Sequence, residues 1–387
     1  MTALAQFYVV YKNNRRFYFP GQALCGHLYL EVVEPLAATK IDVVVRGMAK
    51  VRWSEQAGQN RVKYKNMETL VDDTVTVWSK TENTPHLQAG EHSFPFSFNL
   101  PAGLPSSFEL FGVGVTFIRY WVMATVDLDP TGRVKYKRPF TVIQHIDVND
   151  PVLSIPMRSE NDKTLCCLCC KSGPLSLSAS IDRTGYCPGD TIRVSALAEN
   201  LTRRVMTGIR AQLISFTIRK ENGSATRAGD GGVRILLSEV MGDPIEVGAS
   251  DKWENRPMTI PACSPSIEGC SFIRHLHYVQ VCVVVARGLN LRVHFPIILG
   301  TIPLCETVQH VDQHAMYVDN KAIGVFALPQ PMSLPEATFV LPVTCPLVEA
   351  DATRFTVNIA EDDDDGTMGD LNYCPVVPYS KARPLNR

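Results

Sequence analysis

The chain has 387 residues, a formal net charge of −1 and 45% apolar residues. So even a balance points neither to nucleic acid nor to a membrane surface as a bulk partner. The longest apolar runs, such as Val281-Cys282-Val283-Val284-Val285-Ala286, are far too short to span a bilayer. At roughly 150 residues per domain the length fits two or three domains.

One turn motif occurs twice. The first copy is Phe17-Tyr18-Phe19-Pro20-Gly21, and the second is Gly185-Tyr186-Cys187-Pro188-Gly189. Pro188 stands 168 positions after Pro20, too long a period for a solenoid repeat. Proline presets φ at the first central position of a turn and glycine accepts positive φ at the second. The repeat therefore predicts two copies of one β domain, each with a tight turn leading into a strand.

In chain order, residues 41–53 alternate with period two. Ile41, Val43, Val45, Gly47, Ala49, Val51 and Trp53 share one face, and Asp42, Arg46, Lys50 and Arg52 the other. Arg61, Lys63 and Lys65 alternate in the same way seven residues later. Residues 92–100 place Phe94, Phe96, Phe98 and Leu100 on one face, and Pro95 makes this an edge strand. Residues 117–126, 175–181, 208–220, 278–286 and 290–299 are further strands, rich in β-branched, aromatic or alternating apolar residues. No window of a dozen residues carries a sustained helical stripe.

This predicts an all-β chain of two antiparallel, immunoglobulin-like β-sandwich domains in tandem, with a disordered C-terminal tail. The expected boundaries are a first sandwich over 1–150, a cysteine-rich linker over 151–172, a second sandwich over 173–303 and a mostly disordered tail over 304–387. The start, Met1-Thr2-Ala3-Leu4, has no basic stretch followed by an apolar one, so a cytoplasmic location is expected. There the glycosylation pattern Asn200-Leu201-Thr202 is silent.

Four features bear on function. If the strands around Lys50 and Lys63 pair as a hairpin, Arg46, Lys50, Arg52, Arg61, Lys63 and Lys65 line one sheet face. That face would suit an anionic partner such as an acidic or phosphorylated peptide; the alternative is a solvated basic surface. Cys166, Cys167, Cys169 and Cys170 fit S-acylation, a lone Cys-x-x-Cys metal pair, or small apolar packing. His275 and His277 share a strand face, but no third ligand lies within sequence reach. The acidic run Glu361–Asp365 is either a solvated segment or one that folds back on the basic hairpin. There is no Gly-x-Ser-x-Gly elbow, His-Glu-x-x-His pair or phosphate loop, so no enzyme, cofactor or small-molecule substrate is expected.

Several segments in this order resemble a known family. In the first half they are Phe7-Tyr8-Val9-Val10-Tyr11, Phe19-Pro20-Gly21, the run Gly47 to Trp53, Gly90-Glu91-His92-Ser93-Phe94-Pro95-Phe96, Leu104-Pro105-Ser106-Ser107-Phe108-Glu109 and Ile146-Asp147-Val148-Asn149. In the second half they are Lys163-Thr164-Leu165-Cys166-Cys167, Gly173-Pro174-Leu175-Ser176-Leu177, the turn at Tyr186 to Asp190, and Phe295-Pro296-Ile297-Ile298-Leu299-Gly300-Thr301. Residues 1–300 resemble the alpha-arrestins. The resemblance implies a two-sandwich cytoplasmic adaptor, with plasma-membrane or endosome association. It would dock cytoplasmic tails of membrane proteins and link them, through a HECT-type ubiquitin ligase, to ubiquitination and endosomal sorting. The recruiting motif of that family, Pro-Pro-x-Tyr, is missing. The nearest segments are Tyr373-Cys374-Pro375-Val376-Val377-Pro378-Tyr379 and Pro329-Gln330-Pro331. The alternative implied role is redox-linked signalling. The branch with that role uses a cysteine just upstream of a tryptophan, whereas residues 247–252 before Trp253 contain none.

Overall fold

A computed structural model describes residues 4–57, 59–110, 112, 114–130, 132–167, 170–220, 232–304, 316–317, 347–349, 357–359 and 367–379. The first half contains β1 (Leu4–Tyr11), β2 (Phe17–Tyr18), β3 (Ala23–Val32), β4 (Ala38–Ala57), β5 (Asn60–Ser79), β6 (Gly90–Asn99), β7 (Phe108–Leu110), β8 (Val115–Leu128) and β9 (Gly132–Val142). These form two facing sheets, ordered β1-β3-β6 and β2-β9-β8-β4-β5, with β7 on β8. The second half contains β10 (Met157–Cys167), β11 (Cys170–Ile181), β12 (Gly185–Tyr186), β13 (Thr191–Asn200), β14 (Gly208–Arg219), β15 (Val233–Met241), β16 (Ser250–Thr259), β17 (Ile273–Val284) and β18 (Leu291–Leu299). Its sheets are ordered β16-β13-β11-β10 and β12-β18-β17-β14-β15, with β19 (Met316–Tyr317) beside β10. Five short strands follow: β20 (Leu347–Glu349), β21 (Val357–Asn358), β22 (Met368–Gly369), β23 (Asn372–Tyr373) and β24 (Val376–Pro378).

The repeated turn is built alike in both copies. Gly21 and Gly189 have φ of +80° and +94°. The backbone closes from Gln22 N to Phe19 O and from Asp190 N to Cys187 O. The residue after each glycine then reaches back with its side chain. Gln22 Oε1 accepts from Phe19 N at 3.2 Å, and Asp190 Oδ2 accepts from Cys187 N at 3.0 Å. Before each turn a two-residue strand pairs in parallel with the last strand of its sandwich, β2 with β9 and β12 with β18.

Period-two alternation delivers the cores. Val43, Val45, Ala49 and Val51 of β4 meet Leu24, Leu28 and Leu30 of β3 in one cluster, and Leu175, Leu177 and Ile181 of β11 meet Val279, Val281 and Phe295 in the other. Gly47 has no side chain because the Tyr120 ring covers it; a Cβ there would lie 2.5 Å from that ring. Strand β6 lies at a sheet edge, where Pro95 is tolerated.

The segment read as a linker is shorter than expected. Its residues 157–167 form β10, which pairs along β11 inside the second sandwich. Strand β11 in turn begins at Cys170, before the expected boundary at 173. The inward row of β10 begins with Met157 and the buried Ser159 while Arg158, Glu160 and Asp162 face outward, so the strand has almost no apolar row and in sequence reads as a polar connector. The sandwiches are joined by residues 143–156, which lie against 300–303. Thr301 Oγ1 donates to Gln144 O and accepts from Ile146 N, and Asn149 Nδ2 donates to Pro303 O.

A second contact joins the sandwiches. The first core extends to Ile267, Cys270, Phe272 and Ile273 of the second half. Ser271 Oγ donates to Glu68 Oε2 at 2.7 Å, and the Arg219 guanidinium lies 4.7 Å from the Trp53 ring. His275 packs against Phe108 with ring centroids 4.7 Å apart and against His277 at 4.6 Å. Thr217 Oγ1 and Ser266 Oγ partner the two Nδ1 atoms, while His277 Nε2 is buried with no partner among the described residues. Burial pushes His275 down to about 3 and His277 well below the ordinary imidazole value.

Both imidazoles are thus neutral in the folded state and protonate in the unfolded chain near pH 6.5. Their contribution is complete above pH 6.5 and is lost as pH falls towards 3. At pH 5 each costs about 2 kcal/mol of stability relative to pH 7. Urea unfolding at both values should show wild type losing more stability than the His275→Gln/His277→Gln variant. Equal losses would contradict this account.

A basic sheet face and the segment that lies beside it

Strands β4 and β5 form the long ribbon that carries the predicted cations. Arg52 lies directly opposite Lys65, Ser54 opposite Lys63 and Gln56 opposite Arg61. Directly opposed residues share a sheet face. Arg46, Lys50, Arg52, Arg61, Lys63 and Lys65 therefore all occupy the outer face, behind the buried Val43, Val45, Ala49, Val51 and Trp53. They are not equivalent. Arg46 Nη2 is held by Asp72 at 3.2 and 3.3 Å, and Arg61 Nε donates to Ser54 Oγ at 2.8 Å. Lys50 Nζ lies 5.8 Å from the Phe117 ring. Arg52, Lys63 and Lys65 are exposed. Opposing like charges such as Arg52 and Lys65 destabilise a ribbon and attract anions.

Across β8 the same outer face changes character. Phe117 is opposite Lys50, Arg119 opposite Met48 and Trp121 opposite Arg46. Phe117 and Trp121 are buried although they point away from the core. The Arg119 guanidinium stacks 3.8 Å from the Phe117 ring and pairs with Glu109, Nη2 to Oε2 at 3.1 Å. Lys137 of β9, 1% exposed, holds its Nζ 4.2 Å from the Trp121 ring.

The cover comes from the far end of the chain. Lys137 Nζ donates to Ile359 O at 3.2 Å. Strand β22 runs parallel to β9, Met368 opposite Tyr136 and Gly369 opposite Lys137. Gly369 has φ +137°, and a Cβ there would lie 2.0 Å from Lys137 O, so only glycine fits this approach. Tyr373 is buried; its phenol oxygen is 3.4 Å from Thr141 Oγ1, which also accepts from Val376 N at 3.3 Å. Burial pushes the Tyr373 phenol far up. The segment nearest to a Pro-Pro-x-Tyr motif is therefore laid on the chain's own sheet.

The remaining expectations are placed as follows. The acidic run Glu361–Asp365 and Pro329-Gln330-Pro331 lie outside the described residues, as does most of the stretch expected to be disordered. Cys166 pairs with Lys171 and Cys167 with Cys170, so these positions close the β10–β11 hairpin; Cys169 lies outside the described residues. No group of three or more metal-ligating side chains occurs among the described residues, so His275 and His277 stand as a buried pair. Lys137, Trp121 and Gly369 were invisible to sequence reasoning. Lys137 reads as one more outward cation after Arg133 and Lys135.

Replacing Gly369 by Val should detach this segment. Amide exchange at residues 136–137 and 368–377 should then accelerate about tenfold or more, with melting of the sandwiches unchanged. Wild-type exchange rates in the variant would contradict the close approach described.

Comparison with known proteins agrees with the architecture. Residues 7–149 match the family model "Arrestin (or S-antigen), N-terminal domain", and residues 171–304 match "Arrestin (or S-antigen), C-terminal domain". The chain is 30% identical to arrestin domain-containing protein 4 of Mus musculus over 305 residues, covering 75% of this chain and 70% of the relative. It is 30% identical to the Homo sapiens protein of that name over 310 residues, covering 76% and 71%. It is 28% identical to the thioredoxin-interacting protein of Sus scrofa over 307 residues, covering 77% and 75%. With two sandwiches, the repeated Pro-Gly turn and both domain models matched in order, this chain belongs to the arrestin family, in its alpha-arrestin branch.

Proposed function

We propose that this protein is a non-enzymatic adaptor whose first sandwich docks acidic or phosphorylated cytoplasmic tails of membrane proteins. The observation that carries this reading is the single outer face shared by Arg46, Lys50, Arg52, Arg61, Lys63 and Lys65. Asp72 faces Arg46, whereas Lys65 faces Arg52, Ser54 faces Lys63 and Gln56 faces Arg61. Guanidinium and ammonium groups on a flat strand pair suit an extended anionic peptide through charge-assisted hydrogen bonds. The complex would weaken as salt rises. From the cytoplasm the adaptor would pass its cargo to ubiquitination and endosomal sorting at the plasma membrane or endosome.

Binding of an acidic peptide to the full chain tests the reading. Arg46→Glu/Lys50→Glu/Arg52→Glu should lower affinity at least tenfold at about 0.1 M salt. Unchanged affinity would refute the assignment of this face.

Residues 357–359 and 367–379 support a self-inhibited state, because they lie against β9, in the same sheet as the cationic strands. A tethered competitor acts at high effective concentration. Removing residues 355–387 should raise peptide affinity, and no change would argue against self-inhibition. Recruitment of a HECT-type ligase would use a contact other than Pro-Pro-x-Tyr. A redox role with thioredoxin, suggested by the name of one relative, gains nothing from Trp253, which is buried in the second core without a cysteine among the six residues before it. Cys166, Cys167, Cys169 and Cys170 are proposed acyl acceptors, for which hydroxylamine-sensitive acyl exchange is the assay; no labelling would reject them.

A further inference from the structure

The first sandwich has two outer faces of opposite chemistry. The sheet β2-β9-β8-β4-β5 carries the cations described above. The sheet β1-β3-β6 turns Val9, Leu28, Leu30 and Phe96 into the core, and none of its outward positions is lysine or arginine. Cross-strand pairing orders those outward positions in rows. Gln6, Glu31 and Glu91 stand in one row, Tyr8, Tyr29 and Ser93 in the next, and Val10, His27 and Pro95 in a third. Successive rows are about 7 Å apart, two residues along a strand.

The middle of this face is a line of near-parallel rings. The centroids of Tyr8 and Tyr29 are 5.3 Å apart with 21° between the planes, and those of His27 and Tyr29 are 6.0 Å apart with 28°. Ser93 Oγ lies 3.1 Å from His27 Nδ1 and holds the imidazole in place. Tyr8 and His27 are exposed and Tyr29 is half-buried. Beside the rings, Glu31 and Glu91 lie directly opposite each other, and neither has an ion-pair or hydrogen-bond partner among the described residues. Like charges opposed across strands cost stability, and a bound cation would relieve that cost.

Rings next to unpaired carboxylates select their ligand. The carboxylates repel the phosphates of a nucleic acid and accept charge-assisted hydrogen bonds from a guanidinium. Tyrosine faces attract the same cation. A polyproline II helix repeats every three residues, about 9 Å along its axis, and docks on aromatic-lined surfaces with little conformation left to order. One turn of it reaches from the tyrosine row to the carboxylate row. The proline-bearing run 328–346 of this chain contains no lysine or arginine, so the fitting occupant belongs to another protein.

We infer that the outer face of the β1-β3-β6 sheet docks an arginine-bearing, proline-rich peptide of a partner protein. Tyr8, Tyr29 and His27 receive its prolines, and Glu31 and Glu91 its arginine. This goes beyond the adaptor reading. It concerns the other sheet and a ligand of opposite charge, so either can fail alone.

The test is fluorescence anisotropy of the full chain with labelled peptides of equal length: an Arg-Pro-Pro repeat, a Gln-Pro-Pro repeat and an Arg-Gly-Gly repeat. Labelled oligothymidylate is the nucleic-acid probe. Wild type should bind the Arg-Pro-Pro repeat about tenfold more tightly than either other peptide, and oligothymidylate more weakly still. Glu31→Gln/Glu91→Gln should lose about tenfold of that affinity while melting no lower than wild type, because the opposed charges are gone. Tyr8→Ala, at an exposed position, should lose about threefold or more. The inference is overturned if wild type does not bind the Arg-Pro-Pro repeat, or if the Glu31→Gln/Glu91→Gln variant binds it equally. Equal or tighter binding of the Arg-Gly-Gly repeat or of oligothymidylate would overturn it too.

Discussion

An antiparallel strand has two faces, and the twenty residues of β4 use them for opposite chemistry. The inner face carries Val43, Val45, Ala49, Val51 and Trp53 into the first core. The outer face carries Arg46, Lys50 and Arg52. Burial of the inner row fixes the register, because a slip by one residue would place the cations in the core. Strand β5 is thereby held with Lys65 and Lys63 on the outer face, and β8 with Trp121 and Phe117. The same constraint that makes the core therefore assembles the basic surface and the aromatic strip beside it.

That strip explains the buried cations. Two large aromatic rings on an outer face need cover. Arg119 and Lys137 provide part of it by stacking their charged groups on the rings, a favourable arrangement once water is excluded. Each cation then needs an acceptor. Arg119 finds one in Glu109, Lys137 in the Ile359 carbonyl. Arg119 uses a carboxylate from a neighbouring strand, whereas Lys137 donates to a carbonyl more than two hundred residues away. Docking of residues 357–359 and 367–379 accompanies the burial of Lys137 and Trp121, in the sheet proposed to receive cargo.

Much of this was legible from residues alone. The Pro-Gly turns with their positive-φ glycines, the alternation in β4, the edge position of β6 and the pairing of the cationic strands all follow from local rules that act within about ten residues. Other parts were not, because they depend on contacts distant in sequence. Residues 157–167 read as a linker since the inward row of this strand begins with Met157 and Ser159 and has no run of aliphatic residues to announce it. Gly369 looked like any glycine of a polar segment, and its necessity appears only beside Lys137 O. His275 and His277 were recognisable as sharing a face, but their place against Phe108 of the other sandwich was not.

The central claim is that one sheet face receives an anionic tail beside the segment that lies on it. Hydrogen exchange of the full chain with and without an acidic phosphopeptide tests this most directly. The account predicts added protection in β4 and β5 around residues 46–52 and 61–65, together with faster exchange at 368–377 as that segment is displaced. Protection confined to the second sandwich, or none in β4 and β5, would contradict it.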